Sequence, residues 1–111
     1  INNTSHNNSI GFFINSTKIE NIVIRNNIVW GSTSTIIFGT GVPSSKYTVD
    51  HNLSTVDPKF VNPAAGDFRL QNGSPAIDGG SSTNAPINDF SNKPRPQGNG
   101  YDIGAFEFQT P

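Results

Sequence analysis

The feature that most constrains this chain is an internal repeat confined to its first half. Asn21-Ile22-Val23-Ile24-Arg25-Asn26-Asn27-Ile28 aligns with Lys46-Tyr47-Thr48-Val49-Asp50-His51-Asn52-Leu53, with apolar positions falling on apolar positions and Asn27 on Asn52. Gly11-Phe12-Phe13-Ile14-Asn15 likewise aligns with Thr35-Ile36-Ile37-Phe38-Gly39, and the same shift places Asn2-Asn3 on Asn26-Asn27. Each copy holds short β-prone stretches separated by turn residues and no helical periodicity. A period of this length without helices suits stacked strand layers that bury a core no single layer could bury. A leucine-rich repeat is disfavoured, because Leu53 and Leu70 are the only leucines. The expectation is an all-β, right-handed parallel β-helix of two to three coils of 24–25 residues over residues 1–56, followed by a non-repeating C-terminal cap over residues 57–111.

Alternation within the aligned strands predicts Phe12, Ile14, Ile22, Ile24, Ile36, Phe38, Tyr47 and Val49 inside, and Phe13, Val23 and Ile37 outside. An Asn tolerates left-handed backbone at a bend, and its amide can bond to an equivalent Asn in the next layer. Asn3, Asn27 and Asn52 are therefore read as an asparagine ladder. Strands left unpaired near Gly11 to Ile14 would seek a partner, so self-association through an open N-terminal coil is expected.

From Asp57 the periodicity stops and X-Pro steps dominate, which favours extended chain and turns. Five ordered blocks follow: Asp57-Pro58-Lys59-Phe60-Val61-Asn62-Pro63, Gly66-Asp67-Phe68-Arg69-Leu70, Gly73-Ser74-Pro75-Ala76-Ile77-Asp78-Gly79-Gly80, Pro94-Arg95-Pro96-Gln97 and Gly100-Tyr101-Asp102-Ile103-Gly104-Ala105-Phe106-Glu107-Phe108. Together they cover about half the chain and resemble the C-terminal signature of bacterial pectate-lyase-like β-helix proteins, secreted or cell-surface proteins associated with polysaccharide. The resemblance implies an extracellular or bacterial cell-surface location and a structural role in closing a polysaccharide-binding or polysaccharide-degrading protein. Two alternatives are a polysaccharide lyase with its active site mainly on upstream coils, and a self-assembling surface filament or adhesin subunit. The tail strands Phe68-Arg69-Leu70 and Phe106-Glu107-Phe108 are expected to pack on the outward Phe13 and Ile37 column, with Gly104 at a close backbone approach.

Lyases of the resembled group use a Lys or Arg base, often with Ca²⁺, so Ca²⁺ enters by that analogy alone; the residues themselves imply no metal or other cofactor. Among Lys18, Glu20, Arg25, Lys46, Asp50 and His51, the repeat places Arg25 beside Asp50, a site fragment or a surface ion pair. Arg25, Asp50 and His51 are thus the catalytic candidates, His51 lying at a bend where histidine is ordinarily solvated. Trp30 is the carbohydrate-binding candidate, since an aromatic face suits a pyranose ring. Arg95, between two prolines, is either an exposed loop cation or, if it folds onto the cap, a partner for Asp89 or Asp102.

Seven basic residues against eight acidic ones give a formal net charge of −1, with no basic stripe, so nucleic acid is not an expected partner. No apolar run approaches the roughly 20 residues of a membrane-spanning helix. With no cysteine, stability must come from packing rather than disulfides. The start at Ile1 lacks a Met or a signal pattern, and the chain reads as a processed product or part of a longer protein.

Overall fold

A computed structural model describes residues 1–110 as an all-β chain with short 3₁₀ turns at Ser44–Lys46 and Pro63–Ala65. Its strands are β1 (Thr4–His6), β2 (Ile10–Ile14), β3 (Ile22–Arg25), β4 (Ile28–Trp30), β5 (Ser34–Phe38), β6 (Tyr47–Asp50), β7 (Phe60–Asn62) and β8 (Asp67–Leu70). They form four two-stranded sheets. Three are parallel: β1 with β4 (Thr4 opposite Ile28), β2 with β5 (Phe12 opposite Ile36) and β3 with β6 (Ile22 opposite Tyr47). The fourth, β7 with β8, is antiparallel, with Phe60 opposite Leu70. The repeated segments therefore lie beside one another in the register of the alignment.

The architecture is nevertheless not the right-handed parallel β-helix of two to three coils expected from the repeat. Every sheet stops at two strands, and parallel and antiparallel pairing are mixed. The repeat fixes which residues pair, but little more than two copies are present, too few to enclose a continuous column of side chains. Burial agrees: of the eight side chains expected inside, only Ile24 is buried, while Val49 is 40% exposed and the other six are half-buried.

The core instead lies where the two halves meet. Ile28 from β4 packs with Phe60, Leu70, Ala76 and Ile103 from the second half, flanked by Trp30, Leu53 and Ile77. His6 joins this contact through aromatic packing, 5.9 Å from Phe60 edge-on and 5.3 Å from Phe68, which links β1 to the β7–β8 hairpin. Removing this apolar surface from water is the main driving force available to a chain without disulfides.

The tail does not pack on the outward column: Phe13 is 54% exposed, and residues 76–108 dock on the turns before β1 and β4. The reason is polar. Asn2, Asn26 and His51 occupy equivalent turn positions in left-handed conformation (φ 56°, 58° and 54°), a geometry that directs backbone groups out of the stack. The Gly104 N–H meets the Asn26 carbonyl at 2.7 Å, and Ser81 exchanges two hydrogen bonds with the Asn26 amide at 2.7 and 2.8 Å. A strand face of Phe13 and Ile37 offers no such partners. Gly104 itself has φ +97°, and a Cβ there would lie 2.6 Å from Ile28 Cδ1, so only glycine permits this approach.

Candidate functional site

The three ladder asparagines follow the left-handed turn residues directly. Asn27 Oδ1 accepts both the backbone N–H and the side-chain Nδ2 of Asn3, at 2.9 and 3.0 Å. Asn52 Oδ1 accepts the same pair from Asn27, both at 2.9 Å, and Asn52 Nδ2 donates to the Ile24 carbonyl at 2.8 Å. Asn27 is almost fully buried. The Asn27 and Asn52 amides thereby each satisfy a turn N–H of the neighbouring layer. This is a structural arrangement, with Asn26 and Asn2 bonded alongside it at 3.3 Å.

Arg25 and Asp50, opposite each other on β3 and β6, form a bidentate pair: Nε donates to Oδ1 at 2.5 Å and Nη2 to Oδ2 at 2.9 Å. The remaining guanidinium nitrogen reaches the tail, donating to Asn84 Oδ1 at 3.2 Å and the Thr83 carbonyl at 3.4 Å. His51 Nδ1 lies 3.1 Å from Asp50 Oδ1. The Arg25 donors, aided by His51, hold the Asp50 carboxyl well below the usual carboxylate range, and Asp50 in turn raises Arg25. The structure thus brings the three catalytic candidates together. A guanidinium pushed further toward its protonated form, with all its nitrogens engaged, is poorly suited to take a proton from a substrate. What the cluster does is tie β3 and β6 to residues 83–84.

The most connected polar cluster contains Arg95, Asp89 and Asp102, with Glu107 as the member that the sequence did not reveal. Arg95 pairs with Glu107, not with Asp89 or Asp102, and the two side chains are 1% and 0% exposed. Arg95 also donates to the carbonyls of Gly104 at 3.0 Å and Asp102 at 3.4 Å. Glu107 accepts the Asp102 N–H at 3.0 Å and the Gln97 N–H at 3.3 Å. Asp89 accepts three backbone N–H groups, from Ser91, Lys93 and Glu107, at 2.8, 2.8 and 3.0 Å. Asp102 accepts those of Asp78 at 2.8 Å and Phe108 at 2.6 Å. Burial, assisted by the Glu107 and Asp78 charges, nonetheless pushes the Asp102 carboxyl up from its ordinary value. Asn2 Nδ2 donates to the carbonyls of Asp102 and Gly104 at 3.2 and 3.3 Å, joining this cluster to the first half. Within Phe106-Glu107-Phe108 the charged side chain is the buried one, and both phenylalanines are half-buried. The usable signal was a lone Glu inside an apolar run.

No family model, curated protein or solved structure matches the chain. Its possible chemistry rests on its own surfaces. Trp30 ends β4 and lines a cleft of about 480 Å³ together with Asp57, Lys59, Gln71 and Asn72. A second cleft of about 580 Å³ runs beside the tail between Asn3, Phe68, Phe90 and Phe106. Among the described residues no group of three or more His, Cys, Asp or Glu could hold a metal ion, and both Asp50 oxygens are engaged by Arg25. No helix among the described residues is long and apolar enough to cross a membrane.

Proposed function

We propose that this chain is a structural, end-closing part of an extracellular bacterial protein associated with polysaccharide. One observation carries the structural role: the second half buries a network of charged side chains within itself and bonds it to the turns of the first half. Arg95, Glu107, Asp102 and Asp89 are buried, and Asn2 and Asn26 are their points of attachment. Burying this many polar groups is tolerable only when each finds a partner, and a network so satisfied favours one arrangement of the tail over others. The polysaccharide association and the extracellular location rest on the five tail blocks resembling the closing segment of pectate-lyase-like proteins.

The reading is tested by incubating the chain with a panel of acidic and neutral polysaccharides. Retention on at least one polysaccharide without the appearance of unsaturated products is the expected result. Unsaturated products would favour a lyase, and failure to bind any polysaccharide would remove the association.

A second reading, self-association, is favoured by the open edges of β1, β2 and β3, each of which has a partner on one side only. Unpaired strand edges are templates for pairing with another chain. Sedimentation at micromolar concentration should show dimers or larger species, and a sharp monomer stable to tenfold dilution would overturn it.

A further inference from the structure

The tail carries two Asn-Gly steps, Asn72-Gly73 and Asn99-Gly100. In such a step no side chain on the glycine shields its amide nitrogen, which can attack the side-chain amide of the asparagine before it. The two steps are chemically alike, and the fold treats them oppositely. The Gly100 N–H donates to Asp78 Oδ1 at 2.8 Å, and Asp78 is itself anchored by its own N–H on Asp102 Oδ1 at 2.8 Å. A nitrogen so engaged keeps its proton, because the carboxylate beside it opposes the negative charge that losing the proton would create.

Asn72 and Gly73 are both exposed, at the centre of the turn that the Ser74 N–H closes on the Gln71 carbonyl at 3.1 Å. Gly73 has φ +80°, and its own N–H makes no hydrogen bond among the described residues. The charge beside it is a cation. Lys59 Nζ lies 3.6 Å from where a Gly73 Cβ would stand, and no other heavy atom outside the adjoining residues comes within 4 Å of that point. The Lys59 ammonium belongs to no ion pair among the described residues.

We propose that Asn72 is a site of spontaneous modification, at which the Gly73 nitrogen displaces the Asn72 side-chain nitrogen while Lys59 stabilises the negative charge that develops. A solvent base removes the Gly73 amide proton, the nitrogen bonds to Asn72 Cγ, and the Cγ–Nδ2 bond breaks. The departing nitrogen takes a proton back and leaves as ammonia, and the product is a cyclic imide. Water then opens the ring: cleavage of the new Cγ–N bond leaves an aspartate, and cleavage of the original backbone C–N bond leaves an isoaspartate. Either product adds a carboxylate to the cleft that Lys59 and Asn72 line. The isoaspartate also runs the main chain through Cβ and Cγ, which lengthens the path into Ser74. Ser74 Oγ donates to the Pro58 carbonyl at 2.6 Å and accepts the N–H of the fully buried Ala76 at 3.1 Å, so this product strains a joint of the core.

The test is incubation of the intact folded chain at mildly alkaline pH, followed by acidic digestion and fragment-ion mass spectrometry to locate each converted asparagine. Asn72 should convert at least about tenfold faster than Asn99, whose reaction waits on local opening of the Asp78 contact. That difference should vanish in urea. Lys59→Gln should slow Asn72 about threefold at low salt, and Lys59→Arg should leave the rate near native. The isolated isoaspartate form should melt below the native chain, whereas Asn72→Asp, with its normal backbone, should melt with it. Equal conversion of Asn72 and Asn99 in the folded chain would overturn the site, and so would an inert Asn72 over a period in which the urea-unfolded chain converts; neither comparison depends on a variant. An unchanged Asn72 rate in folded Lys59→Gln would overturn the part assigned to the lysine, and an isoaspartate form as stable as the native chain would overturn the link to the core.

Discussion

The Arg95 guanidinium and the Glu107 carboxylate meet inside the tail with 1% and 0% of their side chains exposed. Removing one member of such a pair leaves the other buried and uncompensated. Glu107→Gln should therefore cost about 3–5 kcal/mol in urea unfolding. Replacing both, Arg95→Met with Glu107→Leu, should cost less than the sum of the singles. It should not restore native stability, because the Asp102 N–H loses its partner and the Gly104 carbonyl keeps only the longer bond from Asn2. Losses below about 1 kcal/mol for Glu107→Gln would show that the pair is not closed to water.

Gly104 carries a backbone requirement and a steric one at once. Gly104→Ala would place a methyl 2.6 Å from Ile28 Cδ1 at φ +97°, and should cost about 1–3 kcal/mol. Gly66 is the control. It has φ +77° with nothing within 4 Å, so Gly66→Ala should show only the conformational cost, about 1 kcal/mol. Thermal melts of the two variants read the difference directly, and equal losses would argue against the close contact with Ile28.

Ile24 and Val49 stand opposite each other on β3 and β6, yet Ile24 is 4% exposed and Val49 is 40% exposed. Ile24→Ala should cost about 2–5 kcal/mol. Val49→Ala should cost about 0.5 kcal/mol. Comparable losses in urea melts would return Val49 to an enclosed interior.

The acid limb of stability should depend on Asp50. Its carboxyl ionises more readily in the folded chain than its ordinary value of 3.8 because Arg25 donates to it, so its contribution is complete above that value and is lost as pH falls below it. Asp67, lowered by Arg69, acts in the same direction. Asp102 acts in the opposite one: its raised value favours the protonated folded form, a contribution present at low pH and lost as pH rises through the folded value. Asp50→Asn should flatten the fall of melting temperature below about pH 4. Parallel curves for the variant and the native chain would contradict the pairing.

The pairing of residues was far more legible in the sequence than the way the chain encloses its core. Ile22 beside Tyr47, and Asn3, Asn27 and Asn52 in line, follow from a repeat whose register is local and whose turn residues have strong conformational preferences. Whether stacked strands enclose a column depends on how many layers accumulate and on what leaves the stack, and alternation within a strand carries no record of either. Val49 was misplaced for that reason. The Arg95 and Glu107 pair was hidden because their meeting depends on the path of residues 96–106 through turns. A charge buried with a partner looks, in sequence, like a charge facing water. The Lys59 contribution to the Trp30 cleft was hidden similarly, by a left-handed lysine that no local preference forecasts.

The central claim is that the second half closes the first as one cooperative unit, and native-state hydrogen exchange tests it most directly. The Gly104 N–H bonds to the Asn26 carbonyl, the Ile103 N–H to Ala76, and the Val29 N–H to Leu53, so these amides sample the junction, the tail and the paired strands. All three should exchange only through global unfolding, with the same free energy, falling together in Glu107→Gln. Exchange of Gly104 and Ile103 at a much lower free energy than Val29, or a Glu107→Gln effect confined to the tail, would contradict it.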